Sequence, residues 1–519
     1  MGDSSEAKMT EAVATPQSSE VQQCLNEVSE PAEFKRKSVR GGAAVVLSQV
    51  FGLVLQLVTT VVLARLLSPT DYGLQAMVLS VTNFFSLFRD AGLSAATVQR
   101  ETLTQEQIST LFWINAVIGA LLTAMVAACA PILVAFFKDP RLLWITIASA
   151  TIFFFNSLVV QHRALLDRAM RFTTNVKIDI LSGTIGTVVA IGMAALGCGY
   201  WSLIGQNISM PLVAMVAVWI AMPWIPGRPR WTPELRSMVR FGGTVTLNSV
   251  IVYIAYNAEK VLLGRYWGAA ALGLYGRAYQ LTNMPVQQLT NSAGAVAFPM
   301  LSRLQNDPSR LRRSYLKSHS LVISLTVPVV ITCAIFANEI VRALLGPKWD
   351  GAAPIVRFLS PAILVFALMN PLSWLLRATG LVGRSLKIAL FLTPVMVLGI
   401  LAGLAYGPSG VALGYSGAMV LLVGPLVVWA KHGTGITNAD YWDCIKRPLI
   451  AGLLGGAAGW LFKIVCYKSL APLPLLATGL SVSLAVYSLL LLFVMGQKDM
   501  YVDLLRQLFP RNRPVAAAI

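Results

Sequence analysis

Apolar stretches of about 20 residues recur along almost the whole chain, and short basic clusters separate them. A helix that crosses a bilayer needs roughly 20 predominantly apolar residues. Of the 519 residues 56% are hydrophobic and only 12% are charged, whereas a soluble domain carries about 25% charged residues. The sequence therefore excludes a soluble protein and predicts an all-α, polytopic membrane protein.

Segmentation on this length scale predicts about 14 transmembrane helices. Those at 75–98, 241–263 and 279–301 are the most polar. The predicted spans are 41–67, 75–98, 111–137, 142–161, 178–197, 200–222, 241–263, 279–301, 319–345, 352–376, 386–406, 409–430, 448–467 and 472–496.

The basic residues give an independent estimate of topology. With a cytoplasmic N-terminus, the inner loops and tails from residue 35 onward hold 28 Lys and Arg, and the outer connections hold 9. Cytoplasmic loops of membrane proteins carry an excess of Lys and Arg, so we predict that both termini are cytoplasmic. The net charge of +18 is spread over these short clusters and forms no basic face, so we expect no nucleic-acid partner.

A direct repeat relates two parts of the chain at an offset of 200 residues. Between 39–83 and 239–283, 13 of 45 positions are identical without a gap, including Arg65/Arg265, Gly73/Gly273 and Asn83/Asn283. Parallel repeats of this kind occur in secondary transporters, which place the substrate near the repeat interface.

The repeat predicts two pseudo-symmetric six-helix lobes plus a C-terminal helix pair. The expected organisation is a disordered polar tail (1–40), transmembrane lobe 1 (41–222), a cytoplasmic connector (223–240), transmembrane lobe 2 (241–430), an additional helix pair (431–497) and a cytoplasmic tail (498–519).

Three segments carry a family resemblance. They read LLGRYWGAAALGLYGRAYQL, MPVQQL and FPMLSRLQNDPSRLRRSYLK within 262–317, LARLLSPTDYGLQAMVLS at 63–80, and LLGPKWDGAAPIVRFLSP at 344–361. The chain resembles the polysaccharide transporter family, the Wzx-type flippases of the superfamily that also holds the multidrug MATE exporters. The resemblance covers roughly 39–430.

The resemblance implies a function and partners. It implies two lobes around a cavity that opens alternately to each side of the bacterial inner membrane. The implied substrate is an undecaprenyl-diphosphate-linked oligosaccharide repeat unit, used for exopolysaccharide, O-antigen or capsule. A polysaccharide polymerase and chain-length machinery are candidate partners. No cofactor and no catalytic residue are expected, since the sequence has no P-loop, and the six scattered cysteines show no metal-ligand spacing.

Ionisable residues inside predicted spans are candidate substrate contacts, because each costs about 2.5 to 3.5 kcal/mol on insertion scales. They are Arg89, Asp90, Glu259, Lys260 and Arg357. A base could bind the diphosphate of the substrate, and an acid could carry a proton or balance charge. The alternative is that each acid–base doublet is a structural ion pair.

Amides line one face of the eighth predicted span. Side chains three or four residues apart lie on one side of a helix. This spacing relates Asn283, Gln287 and Asn291, and Gln288 lies beside them. Amides suit sugar hydroxyls, although hydrogen bonding between helices explains the stripe equally well.

Three other functions fit parts of the pattern. A multidrug exporter of the same superfamily would favour acids and aromatics in its cavity, whereas the embedded charges here comprise three bases and two acids. A membrane polysaccharide polymerase or glycosyltransferase would need a sizeable outer loop, which the sequence lacks. A membrane scaffold would leave the repeat unexplained.

Overall fold

The computed structural model describes residues 31–89, 104–229, 233–466, 471–498 and 501, and every regular element among them is a helix. Eleven helices in this part of the chain are long and apolar enough to cross a membrane. The three predicted spans that are not among the eleven are the polar ones, 75–98, 241–263 and 279–301. The all-α, multi-pass fold class is thus confirmed. Asp90 and most of both predicted tails lie outside the described residues.

The chain divides into two compact units, Met1–Gly273 and Leu274–Ile519, whereas the sequence predicted a connector at 223–240. The helices of the first unit are α1 (Pro31–Leu66), α2 (Pro69–Ser86), α3 (Gln105–Ala128), α4 (Ala130–Phe137), α5 (Leu142–Arg168), α6 (Phe172–Ala195), α7 (Trp201–Ala221) and the first part of α8 (Pro233–Arg303).

The second unit contains the rest of α8 and seven further helices. These are α9 (Pro308–Ile335), α10 (Ala337–Leu344), α11 (Ala352–Ala378), α12 (Val382–Leu404), α13 (Gly407–Lys431), α14 (Asn438–Cys466) and α15 (Pro472–Leu489), which ends in a π-helical turn at Leu490–Val494.

Helix α2 begins six residues earlier than the sequence predicted. Ser68 is its N-cap, Pro69 occupies the first helical position, and Asp71 completes a capping box with Ser68. This combination satisfies the free N–H groups of a first turn, so the helix begins at Pro69 and ends at Ser86. The predicted boundary at residue 75 was wrong, because hydropathy does not register the polar capping residues.

Helix α8 is two helices separated at Gly268, which has φ 76° and ψ −174°. Glycine reaches this conformation without steric cost because it has no Cβ. The chain turns back here, since the Leu272 side chain lies within 3.3 Å of the position of a Cβ on Gly264. In the 200-residue register Gly268 matches Ser68, so both copies of the repeat break at the same position.

The two units also pair their helices in the same order. In the first unit α3 packs against α5, α5 against α7 and α6 against α7; in the second, α9 packs against α11, α11 against α13 and α12 against α13. Helices α3, α5, α6 and α7 of the first unit therefore correspond to α9, α11, α12 and α13 of the second. The sequence identity between 39–83 and 239–283 indicated this correspondence only for the start of each copy.

Close helix contacts depend on small residues. Gly403 and Gly410 face each other across α12 and α13, where a Cβ on either would lie 2.1 to 2.3 Å from the carbonyl oxygen of the other. Gly399 and Gly414 repeat this arrangement one turn further on. Two small residues spaced four apart on each helix let the backbones approach closely, which is how membrane helices gain packing energy.

Candidate functional site

Glu259 and Lys260 lie in the first part of α8 and have different environments. Glu259 is 4% exposed, and its Oε2 has no hydrogen-bond partner among the described residues. Lys260 is half-buried, and its Nζ donates a 2.8 Å hydrogen bond to Asn257 Oδ1. Successive side chains on a helix point about 100° apart, so the two residues face different surroundings.

No salt bridge joins Glu259 to Lys260 in the part of the chain that the structure describes. The salt bridges among the described residues join Arg141 to Asp139, Arg163 to Asp179, Arg310 to Asp307, Arg312 to Asp440, Arg342 to Asp350, Lys446 to Asp443 and Lys463 to Glu339. The ammonium group of Lys260 is held by a neutral amide.

The amide stripe lies on an accessible face of the second part of α8. Asn283 donates a 3.2 Å hydrogen bond from Nδ2 to Gln287 Oε1, Gln287 and Asn291 are exposed, and Gln288 is half-buried. Exposed amides in hydrocarbon would lack hydrogen-bond partners at a cost of several kcal/mol each. This face is therefore suited to water or a polar ligand and not to lipid.

Sequence reasoning missed an aromatic–arginine contact further along the same helix. The guanidinium carbon of Arg377 lies 5.5 Å from the ring centroid of Phe298, which is within the range of a cation–π contact. Both side chains are exposed. In the sequence, Arg377 is one of the many Lys and Arg residues of the predicted inner loops. The topology count gives no reason to single it out.

The remaining predicted charges occupy other places. Arg357, six residues into α11, is exposed and donates from Nε to the carbonyl of Ala334 at 3.3 Å. Arg89 lies in the turn that follows the end of α2 at Ser86, with its N–H donating to the carbonyl of Ser86. Asp90 lies outside the described residues.

An ion pair joins the C-terminal helix α14 to α10, and no sequence pattern indicates this contact. Lys463 Nζ lies 2.8 Å from Glu339 Oε2 and donates a 3.0 Å hydrogen bond to the carbonyl of Ile335. The two side chains are 15% and 5% exposed. Glu339 is thus buried against a partner 124 residues away.

In the described part of the chain, no three His, Cys, Asp or Glu side chains lie close enough together to bind a metal ion. The described cysteines, Cys129, Cys198, Cys333, Cys444 and Cys466, are free thiols.

A match to a family model identifies the family of this chain. A family model described as polysaccharide biosynthesis protein matches residues 62–354, which include the matched helix starts and both parts of α8 near Gly268. The chain belongs to this family. The predicted resemblance to polysaccharide transporters is confirmed.

Two relatives extend the match beyond those residues. The lipopolysaccharide biosynthesis protein WzxC of Escherichia coli (strain K12) is 26% identical over 396 residues, which cover 74% of this chain and 78% of WzxC. The succinoglycan biosynthesis transport protein ExoT of Rhizobium meliloti (strain 1021) is 24% identical over 490 residues, 91% of this chain and 96% of ExoT.

The fold matches a solved flippase. The structure of the lipid II flippase MurJ in an inward closed conformation aligns with a TM-score of 0.70 and 14% identity, covering 90% of this chain and 100% of MurJ. This likeness supports the multi-pass membrane fold, and the family match together with WzxC and ExoT places the chain in a bacterial transporter family. Because this family consists of transporters, the prediction that the chain is not an enzyme is confirmed.

Proposed function

We propose that the protein flips undecaprenyl-diphosphate-linked oligosaccharide repeat units across the bacterial inner membrane by alternating access. The product would supply a surface polysaccharide such as exopolysaccharide, O-antigen or capsule. The observation that carries the proposal is an accessible polar face on α8 in a chain of the polysaccharide biosynthesis family. The names of WzxC, ExoT and MurJ, which refer to polysaccharide biosynthesis, transport and lipid flipping, support the same substrate class.

Lys260 is the proposed contact for the diphosphate. Its side chain is half-buried, and its ammonium group is held in position by a hydrogen bond to Asn257. Among the described residues, no carboxylate forms a salt bridge with it. A cation and a phosphate attract more strongly in a partly dry site than in water, because the solvent screens them less. Glu259 lies beside it and adjusts the local charge.

The amides of Asn283, Gln287 and Asn291 are the proposed partners for sugar hydroxyls. Each amide offers two donors and one acceptor, which matches the mixed donor and acceptor character of a hydroxyl. Arg89, Asp90 and Arg357 remain candidates for charge balance along the path of the substrate.

The proposed orientation places both termini in the cytoplasm, as the distribution of Lys and Arg indicates. The structure bears on the order of the spans. Thr59 Oγ1 of α1 lies 3.0 Å from Thr187 Oγ1 of α6, and Leu55 lies against Gly183 one turn earlier. The first and fifth spans therefore run parallel, as the predicted order requires. A polysaccharide polymerase and chain-length machinery would receive the flipped substrate on the outer side.

Gene deletion tests the proposal in the cell. We expect loss or strong reduction of one surface polysaccharide, with its lipid-linked repeat unit retained on the inner leaflet, and restoration by the wild-type gene. Normal polysaccharide together with hypersensitivity to cationic drugs would contradict the proposal and favour a multidrug exporter. A polymerase would instead leave repeat units on the outer leaflet.

A further inference from the structure

The C-terminal helix α14 lies parallel to α9 and contacts it near both ends. Near the start of the two helices Arg312 is 2.6 Å from Asp440, and near their ends Lys463 donates to the carbonyl of Ile335 at 3.0 Å. Both contacts join residues 128 positions apart, so the helices keep the same register along their length.

Glycines bring α14 close to α9 where the latter contains a proline. A Cβ on Gly452 would lie 2.3 Å from Val327 Cγ1, and one on Gly456 would lie 2.5 Å from Ile331 Cγ2. These two α9 side chains flank Pro328. Helix α14 is therefore packed directly against the proline turn of α9, and α15 packs on the side of α14.

Pro328 interrupts the hydrogen-bond ladder of α9. Proline has no N–H, so the carbonyl four residues earlier, that of Ser324, receives no hydrogen bond from position 328. An unsatisfied carbonyl in a buried site costs about as much as a lost hydrogen bond. The hydroxyl of Tyr487, on α15, donates to this carbonyl at 2.5 Å in a buried contact.

A second tyrosine contacts the same residue. The Tyr501 hydroxyl, beyond the π-helical turn that ends α15, forms a short hydrogen bond with Ser324 Oγ. Tyr487 is 6% exposed and packs with Ala451 of α14 and with Leu491. The C-terminal segment thus meets Ser324 with two hydroxyl groups, one on its carbonyl and one on its side chain.

We propose that Tyr487 is a positioning residue that fixes the turn of α9 that contains Pro328, so that α9, α14 and α15 move as one body. The proline turn is then supported and does not act as a free hinge. The hydroxyl supplies the donor that the proline removed, and the Arg312–Asp440 ion pair and the hydrogen bond from Lys463 to the carbonyl of Ile335 hold α14 in register on α9. This gives the two helices outside the repeat a mechanical role, and it does not depend on which substrate the protein carries.

A double-mutant cycle tests the hydrogen bond. Tyr487→Phe in the purified full-length protein should lower the thermal unfolding temperature by several degrees, because the Ser324 carbonyl loses its donor. Pro328→Ala restores an N–H at position 328, so adding Tyr487→Phe to Pro328→Ala should cost less than half as much. An equal loss in both backgrounds would show that the hydroxyl acts elsewhere and would overturn the proposal.

Tyr441→Phe is the matched control. Its hydroxyl also joins the C-terminal helix pair to another helix, α11, by donating a 3.0 Å hydrogen bond to the carbonyl of Leu368. The residue four positions after Leu368 is Leu372, which has its own N–H. The effect of Tyr441→Phe should therefore be the same with and without Pro328→Ala.

A covalent tether tests the common movement without altering Pro328. Cys444 Sγ lies 3.6 Å from the carbonyl oxygen of Leu316, so Leu316→Cys should form a disulfide with Cys444 when the other cysteines are replaced. We expect oxidation to leave export of the surface polysaccharide within about twofold of that of the reduced protein. A tenfold loss that reductant reverses would show that α14 slides along α9, and failure to cross-link would contradict their register; either result would overturn the proposal.

Discussion

Gly73 and Gly273, which the repeat matches at an offset of 200 residues, make reciprocal backbone contacts. A Cβ on Gly73 would lie 1.7 Å from the carbonyl oxygen of Ala269, and a Cβ on Gly273 would lie 1.8 Å from that of Pro69. Pro69 and Ala269 are themselves matched by the repeat. The two helix starts therefore meet through a local two-fold relationship, in which each glycine lets the other helix approach.

Alanine at either glycine should destabilise the protein. A methyl group cannot fit at 1.7 or 1.8 Å from a carbonyl oxygen, so the helices must separate, and overpacking of this kind costs about 1 to 3 kcal/mol or more. Gly276→Ala is the control, because a Cβ there meets nothing within 4 Å. Thermal unfolding in detergent measures the difference. Equal stability of Gly73→Ala and Gly276→Ala would contradict the close contact.

Removal of one partner of the Glu339–Lys463 pair should be strongly destabilising. Glu339→Gln leaves the ammonium of Lys463 buried without its counter-charge, and loss of one member of a buried pair costs about 3 to 5 kcal/mol. Adding Lys463→Met should recover much of this loss.

The exposed Arg342–Asp350 pair provides the comparison for that experiment. Its side chains are 54% and 46% exposed, and surface pairs of this kind contribute about 0 to 1 kcal/mol. Asp350→Asn should change the unfolding temperature little. If Glu339→Gln and Asp350→Asn had the same small effect, the Glu339–Lys463 pair would not be buried in the membrane-embedded protein.

Lys260→Ala should reduce transport at least about tenfold while abundance stays near the wild-type level, since a tenfold change corresponds to 1.4 kcal/mol of lost binding. Lys260→Arg should retain a good part of the activity, because it keeps the charge with a different geometry. Lys387→Ala, at an exposed lysine near the start of α12, should have no effect. Full export by a stable Lys260→Ala protein would exclude the diphosphate contact.

Reporter fusions test the orientation. Fusions after Arg168 and Arg312 should report the cytoplasm, and fusions after Asp71 and Lys348 should report the outer side. The reason is the excess of Lys and Arg in the predicted inner loops. An outer signal at Arg312 would break the two-lobe arrangement at its centre.

The sequence predicted features that depend on local composition. Apolar length located the helices, and the identity of Gly73 with Gly273 identified two residues whose backbone contacts turn out to be reciprocal. The same register matched Ser68 to Gly268, although only the structure shows that both are helix breaks. Serine starts α2 by capping its first turn, whereas glycine allows a positive φ, so two different residues produce the same break.

Contacts between distant residues could not be predicted. Glu339 and Lys463 each resemble a charge at a span end, and only the docking of α14 on α9 shows that they meet. Tyr487 carries no sequence signal for its contact with Ser324, since the need for a donor arises from Pro328 on another helix.

Reconstituted transport tests the central proposal most directly. Purified protein would be placed in vesicles that carry an undecaprenyl-diphosphate-linked oligosaccharide in both leaflets, with a sugar-modifying enzyme added outside. We expect the inner-leaflet half of the lipid to become accessible with wild-type protein and at least about tenfold more slowly with Lys260→Ala. Accessibility no faster than in protein-free vesicles, under an ion gradient of either sign, would contradict the proposal that this protein flips lipid-linked oligosaccharides.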